Sequence, residues 1–196
     1  DHVTARRYDK RVGGSVTNTA CAVMKFAVDF VQEEEYHGGS CARQSIRCEA
    51  LTLLGNDADG DLILSELSES GVGTRYVART SETPTQVAFL PVHDVTGERA
   101  CIVIPGATAL IDEETLLGEV GIGCRRSDML RELLWFNLGY PYELKNLQGR
   151  QLARLLNAVH AELGLAVALD LNGADGSGFT GENPFQIVEE ALKYVC

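Results

Sequence analysis

The stretch GGSVTNTA at residues 13–20 combines residue types that can bind a small hydroxylated molecule. Gly13 and Gly14 let the backbone approach a ligand closely, because neither has a Cβ atom. The helix expected to begin at Ser15 supplies free N–H donors in its first turn. The Asn18 amide both donates and accepts, as vicinal hydroxyls of a sugar require. The stretch is a candidate binding site, although a glycine turn followed by a serine cap also explains it.

Glycine patterns that bind phosphate in other proteins do not fit this chain. Residues 176–181 (GSGFTG) match G-x-G-x-x-G, but the dinucleotide fingerprint must leave a strand directly and open a helix. Here several residues separate the pattern from Leu171, and the next helix is expected only after Asn183. A flexible glycine-rich loop is the better interpretation. The P-loop pattern G-x-x-x-x-G-K-[ST] does not occur in the sequence, which excludes a P-loop.

Two groups of potential metal ligands are also weak candidates. Residues 55–66 partly resemble a calcium-binding EF-hand loop, but Gly55 occupies the position of the first carboxylate ligand. A tight turn in which Asp57 or Asp59 caps the next helix is preferred. His37, Cys41 and Cys48 are close in sequence, but their spacing matches no zinc pattern. We therefore expect no metal site, and reduced, mostly buried cysteines.

The composition is that of an ordinary globular domain and excludes several classes of protein. The chain has 196 residues, of which 45% are hydrophobic and 23% are charged. Its formal net charge of −11 disfavours nucleic acids and anionic membranes as partners. No apolar run approaches the roughly 18 residues that span a bilayer, and residues 1–11 lack a signal-peptide core. The expected location is the cytoplasm, with an organelle after removal of a targeting peptide left open.

Strands alternate with helices along the chain, which predicts an α/β fold with mostly parallel strands and one antiparallel hairpin. The last predicted helix starts at Asn183 and turns Ile187, Val188, Ala191 and Leu192 inward. The other predicted elements are a helix from Ser15, a surface insertion at about 32–49, a strand at 50–54, a helix at 57–70, a hairpin at about 85–104, a strand at 133–138, a helix at 147–163 and a strand at 165–171.

Three blocks occur in a characteristic order: GGSVTNTA at 13–20, LLGNDADGDLILSELSESGVGTRYV at 53–77, and TPTQVAFLPVHDVTGERACIVIPGA at 83–107. Together they resemble the N-terminal half of the PfkB carbohydrate kinases, the ribokinase-like superfamily that includes ribokinase, fructokinase and adenosine kinase. The resemblance extends from Gly13 to about Asn172, interrupted by the insertion. The GGSVTN form and the segment LGYPYEL at 138–144 lean towards adenosine-kinase-like or sugar-kinase members.

The resemblance implies a ribokinase-like three-layer α/β/α fold with a mostly parallel sheet and a small β lid. Residues 1–196 would be a partial domain, incomplete at the C-terminus, with residues 85–104 as the lid. The turn at Gly55, Asp57 and Gly60 would be chiefly structural. The substrate-binding residues implied by the family motifs are Gly13, Gly14, Asn18, Asp170 and Asn172.

The implied activity of the family is transfer of the ATP γ-phosphate to a hydroxyl of a sugar or nucleoside, with ATP and Mg²⁺ as cofactors. No catalytic residue is assigned in this chain, because the family motifs N-x-x-E and D-T-x-G-A-G-D do not occur in it. The latter motif supplies the anion hole and the general base on which phosphoryl transfer depends. We therefore expect the chain alone to be inactive and assign it no ATP or Mg²⁺ site.

One further departure from the family pattern leaves an alternative open. An acid that family members often carry beside the strand at 133–138 is replaced here by Leu138 and Gly139. A non-catalytic, kinase-derived binding or assembly subunit is therefore the second hypothesis. The family resemblance also suggests a homodimer that forms through the lid.

Overall fold

The computed structural model describes residues 9–36, 46–117, 133–171 and 188–195, with side chains of the first helix described as far as Ala27. Short 3-10 turns lie at Ala107–Leu110, Pro141–Glu143 and Leu192–Tyr194, and a π-helical turn at Ala158–Glu162 continues the last α-helix. The helices and strands are α1 (Ser15–Tyr36), β1 (Glu49–Gly55), α2 (Ala58–Glu69), β2 (Gly73–Thr80), β3 (Val87–Phe89), β4 (Ile102–Ile104), α3 (Glu113–Leu117), β5 (Trp135–Gly139), α4 (Arg150–Asn157) and β6 (Ala166–Asp170).

Within the described residues the strands form three hydrogen-bonded pairs, two of them parallel. β1 and β2 are parallel, with Gly55 opposite Thr80. β5 and β6 are also parallel, with Gly139 opposite Asp170 at their carboxyl ends. β3 and β4 are antiparallel. The mixed α/β architecture with mostly parallel strands is therefore confirmed.

Local chemistry explains where α2 begins and ends. The Asp57 carboxylate accepts a hydrogen bond from the Gly60 N–H at 2.8 Å and so caps the first turn. At the other end Gly71 has φ +77°, a conformation that favours glycine and stops the helix. The predicted helix at 57–70 is confirmed, because α2 spans Ala58–Glu69.

The segment predicted as a hairpin forms the antiparallel pair β3–β4, in which Val87 faces Ile104. An isolated bridge between Val92 and Arg99 extends the pairing. The His93 N–H donates to the Glu98 carbonyl at 2.8 Å and closes the turn. We call residues 87–104 the hairpin below.

Two sequence-based expectations need correction. The sequence predicts a surface insertion at about 32–49, but α1 continues to Tyr36 and β1 already begins at Glu49. Glutamine and glutamate favour helix, so residues 32–36 (QEEEY) extend α1. Residues 37–45, which include His37 and Cys41, lie outside the described part of the chain.

The second correction concerns the C-terminal segment, of which residues 188–195 are described. Val188 and Ala191 are buried as predicted, but Leu192 is largely exposed. The backbone forms turns and a 3-10 helix at Leu192–Tyr194, so α-helical spacing does not set which side chains face inward.

The main core forms around α4, the short helix that precedes β6. Leu152, Leu155 and Leu156 of this helix are completely buried. They share one cluster with Leu138 of β5 and Val167 of β6. This packing holds β5 and β6 together and fixes the position of their carboxyl ends, where the predicted site residues lie.

Candidate functional site

The beginning of α1 meets the carboxyl ends of β5 and β6. The Ser15 hydroxyl donates a hydrogen bond to the Asp170 carboxylate, and Asp170 is the last residue of β6. Ser15 is buried at this contact. Asp170 also lies opposite Gly139, the last residue of β5. The start of the GGSVTNTA stretch and the end of the β6 strand are therefore neighbours in space.

Gly139 allows this close approach. A Cβ atom at this position would lie 2.6 Å from the Ser15 Oγ and 2.8 Å from the Ser15 Cβ. Real Cβ atoms do not make such short contacts, so any side chain here would push the start of α1 away from β5. Leu138, the other position where the family often has an acid, is buried in the core. Both residues that stand in place of that acid therefore have packing roles.

The glycines before α1 are exposed and have open space around them. No atom of the described residues lies within 4 Å of the Cβ that either Gly13 or Gly14 would carry. Gly14 has φ +96°, which favours glycine at this position. Asn18 is exposed one helical turn further on, and its backbone N–H donates to the Gly14 carbonyl at 3.0 Å. The backbone and the Asn18 side chain are therefore accessible to a ligand.

A second network surrounds Asp57 at the turn between β1 and α2. One carboxylate oxygen, Oδ1, accepts from the Gly60 N–H at 2.8 Å and from the Thr85 hydroxyl at 2.8 Å. The other, Oδ2, accepts from the Thr85 N–H at 2.7 Å. The hydrogen bonds from the Thr85 N–H first, and then from the Gly60 N–H and the Thr85 hydroxyl, lower the pKa of Asp57 to about 2. Asp57 thus acts as a helix cap and a link to Thr85.

The lowered pKa of Asp57 predicts how the stability of the protein changes in acid. The folded state keeps Asp57 ionised to about pH 2, whereas the unfolded chain takes up the proton near the ordinary pKa of 3.8. The contribution of Asp57 to stability is therefore complete above about pH 5 and is lost as the pH falls from about 4 to 2. Urea unfolding of the native chain and of Asp57→Asn at several pH values measures this difference. A native-minus-variant difference that is the same at pH 3 and pH 6 would contradict the assignment.

The described cysteines are free thiols, and they differ in exposure. Cys21 and Cys48 are half-buried, whereas Cys101 is exposed, which corrects the expectation of mostly buried thiols for that residue. Burial raises the pKa of the Cys48 thiol and favours its neutral form, a weaker metal ligand than the thiolate. Among residues 9–36, 46–117, 133–171 and 188–195, His, Cys, Asp and Glu form no group of three or more that could hold a metal ion.

Comparison with known families decides what kind of protein carries this site. The profile of the pfkB family carbohydrate kinases matches residues 1–122. The chain belongs to the pfkB family. This agrees with the ordered GGSVTNTA, LLGNDADG and TPTQVAFL blocks of the sequence. Among curated proteins, none matches this pfkB chain. Within the described segments, the search for a helix both long and apolar enough to cross a membrane finds none.

Solved structures with the ribokinase-like fold resemble this pfkB chain. A fructokinase with bound ATP from Xylella fastidiosa has a TM-score of 0.67 at 22% identity, over 100% of this chain and 53% of its own. An uncharacterized sugar kinase from Pyrococcus horikoshii in complex with ATP has a TM-score of 0.68 at 18% identity, over 97% and 53% of the two chains. An Anopheles gambiae adenosine kinase has a TM-score of 0.63 at 17% identity, over 93% and 48%. The pfkB chain spans about half the length of these structures.

The structure brings some of the predicted site residues of this pfkB chain together. Gly14 is joined to Asp170 through Ser15, and Asn18 stands one turn further along α1. Asn172 lies outside the described residues. Sequence reasoning missed the roles of Ser15 and Thr85 as partners of Asp170 and Asp57. Ser15 follows a glycine pair and Thr85 follows a proline, and both patterns are too common to reveal these partners.

Proposed function

We propose that the whole protein is an ATP-dependent kinase that phosphorylates a hydroxyl group of a sugar or nucleoside, with ATP and Mg²⁺ as cofactors. In this proposal Gly13, Gly14, Asn18, Asp170 and Asn172 belong to the acceptor side of the site. The observation that carries it is the contact of Ser15 with Asp170, which joins the exposed glycine pair to the end of β6. In open α/β sheets, ligands bind at such carboxyl ends.

The chemistry of these residues suits a neutral, hydroxylated acceptor. The glycine pair offers backbone atoms without side-chain obstruction, and the Asn18 amide offers one donor group and one acceptor oxygen. Asp170 accepts a hydrogen bond from the Ser15 hydroxyl, so we give it the role of holding the start of α1 in place. Acceptor recognition then depends mainly on the Asn18 side chain and the exposed backbone of Gly13 and Gly14.

We assign no phosphoryl-transfer residues to this chain. Transfer requires donors that stabilise the moving phosphate and a base that takes the hydroxyl proton. None of the residues argued above has such a role, so residues 1–196 alone should bind acceptor without turnover. The second hypothesis, a kinase-derived binding or assembly subunit, rests on Leu138 and Gly139 in place of the usual acid.

The hairpin is proposed as the lid of this site and as the contact surface of a homodimer. Its side chains Phe89, Val92, Ile102 and Ile104 are each roughly half exposed. A cluster of apolar side chains exposed in this way is typical of a surface that binds a ligand or a partner.

The test measures acceptor binding by residues 1–196 with ribose, fructose and adenosine as separate probes in isothermal titration calorimetry. We expect weak binding of one of them and at least tenfold weaker binding by Asn18→Ala, because the side-chain hydrogen bonds to the acceptor are lost. Lys25→Ala, an exposed change further along α1, is the control and should bind normally.

A turnover assay with ATP and each acceptor separates the two hypotheses. The assay uses the whole protein, isolated from its natural source and checked by its intact mass. It should phosphorylate one acceptor if it is a kinase and none if it is a binding subunit. Unchanged affinity in Asn18→Ala would contradict the proposed site. Acceptor-dependent turnover by residues 1–196 would contradict the assignment of catalysis to residues outside this chain.

A further inference from the structure

The segments that enter and leave the hairpin touch each other where they join the α/β body. The Ala107 N–H donates to the Pro84 carbonyl at 2.8 Å. A Cβ atom on Gly106 would lie 2.4 Å from the Pro84 oxygen and 2.5 Å from the Gln86 nitrogen. The backbones on the two sides of the hairpin are therefore in direct contact. Thr85 lies between Pro84 and Gln86, so a contact that fixes Thr85 also fixes the backbones on both sides of the hairpin.

Thr85 is buried and is bound to the turn between β1 and α2 through both its backbone and its side chain. Its N–H donates to the Asp57 Oδ2 at 2.7 Å and its hydroxyl donates to the Asp57 Oδ1 at 2.8 Å. The Gly55 N–H in turn donates to the Thr85 hydroxyl at 3.0 Å. Hydrogen bonds to an ionised carboxylate are about twice as strong as those between neutral groups.

The turn that carries Asp57 is itself held in place. The Arg79 Nε–H donates to the Gly55 carbonyl at 2.8 Å, and the same guanidinium donates to the Asp57 carbonyl at 3.3 Å. A Cβ atom on Gly55 would lie 2.4 Å from the Thr85 nitrogen, so no space separates the turn from the base of the hairpin. Asp57 thus connects a fixed part of the α/β body to the base of the hairpin.

Beyond its base the hairpin is exposed to solvent along residues 89–104. Ile102, Val103 and Ile104, the residues of β4, are all exposed. A second link runs from the Gln86 amide to the Glu143 carboxylate at 2.8 Å, but it is exposed to solvent. Water competes with exposed hydrogen bonds, so this link constrains the hairpin less than the Asp57–Thr85 contact does.

We propose that Asp57 is the positioning residue of the hairpin: through Thr85 it sets where residues 87–104 stand relative to the α/β body. The consequence for acceptor binding rests on the proposed function, in which the hairpin is the lid. Asp57 then acts on the acceptor through the hairpin, without touching the acceptor itself. This gives the glycine–aspartate turn a role in addition to capping α2.

The variants that test the proposal separate the carboxylate from the shape of the side chain. Asp57→Asn keeps the size but replaces one oxygen with an NH₂ group, which cannot accept from an N–H. Thr85→Val replaces the hydroxyl with a methyl group, whereas Thr85→Ser keeps the hydroxyl and removes the methyl group. Asp61→Asn is the matched control, because Asp61 lies in the first turn of α2 and its carboxylate makes an exposed ion pair with Arg79.

Hydrogen exchange of the backbone amides, followed by mass spectrometry, is the measurement. In Asp57→Asn and Thr85→Val we expect amides of residues 87–104 to exchange at least tenfold faster than in the native chain. The β5 and β6 amides should be unchanged, and Thr85→Ser and Asp61→Asn should behave like the native chain. Equal acceleration throughout the protein, unchanged exchange in the hairpin, or loss of the folded state in both variants would overturn the proposal.

Acceptor titration of the same variants distinguishes failure of this inference from failure of the proposed function. We expect the dissociation constant for the acceptor to rise at least fivefold in Asp57→Asn, whereas Asp61→Asn leaves it unchanged. Faster hairpin exchange in a protein that binds none of the acceptors would retain Asp57 as a positioning residue and reject the kinase site. Unchanged hairpin exchange together with normal acceptor binding would reject Asp57 as a positioning residue and retain the proposed acceptor site.

Discussion

Gly139→Ala should lower the free energy of unfolding by about 1–3 kcal/mol, the usual cost of inserting a methyl group where no space exists. The new Cβ would lie 2.6 Å from the Ser15 Oγ and 2.8 Å from the Ser15 Cβ. The Ser15 Cβ is attached directly to the first turn of α1, so the helix itself must move. Urea unfolding at neutral pH measures the loss.

A double-mutant cycle with Ser15→Gly tests the cause of that loss. Ser15→Gly removes both atoms that meet the new methyl group, although by itself it costs the hydrogen bond to Asp170. In this background Gly139→Ala should cost at least about 1 kcal/mol less than it does alone. Ser15→Ala, which keeps the Cβ, should relieve less. Strictly additive effects would show that Gly139 is required for another reason.

Leu155→Ala should lower the free energy of unfolding by about 2–5 kcal/mol, the usual cost of removing a fully buried leucine side chain. Leu155 has 0% of its surface exposed and packs in the cluster that joins α4 to β5 and β6. α4 spans only Arg150–Asn157, and so short a helix depends on packing for its stability. Urea unfolding followed by circular dichroism gives the difference from the native chain.

Two further substitutions test whether burial and volume explain this effect. Leu155→Met keeps most of the volume and should cost less than about 1.5 kcal/mol. Leu134→Ala removes the same atoms from a side chain that is 82% exposed, and should change stability by less than about 0.5 kcal/mol. An equal loss in Leu134→Ala and Leu155→Ala would contradict the assignment of the core.

Much of the fold could be predicted from local signals in the sequence. Asp57 before an amphipathic run predicted the start of α2, and Gly71 predicted its end. The apolar runs before Gly55 and Gly139 gave β1 and β5. These signals act within a few residues, so one sequence is enough to read them. The ordered blocks added the family, which no single block would establish.

Contacts between distant segments could not be predicted in this way. β2 was missed because Arg75 and Arg79 interrupt its apolar pattern, and only the fold shows that Arg79 donates to the Gly55 carbonyl. The partners of the site residues are equally distant in sequence. Ser15 contacts Asp170, and Asp57 contacts Thr85, only because the tertiary fold brings distant segments together, which local propensity does not encode.

The contact between Pro84 and Ala107 has a consequence for how proteins of this architecture can diverge. The chain leaves the body and returns to it at adjacent backbone atoms, so a longer or shorter segment can connect these two points without separating them. The entropy of closing a loop between two such points changes only slowly with the length of the loop. The hairpin is thus an exchangeable module, and its length and sequence can vary while the strands and helices beneath it keep their positions.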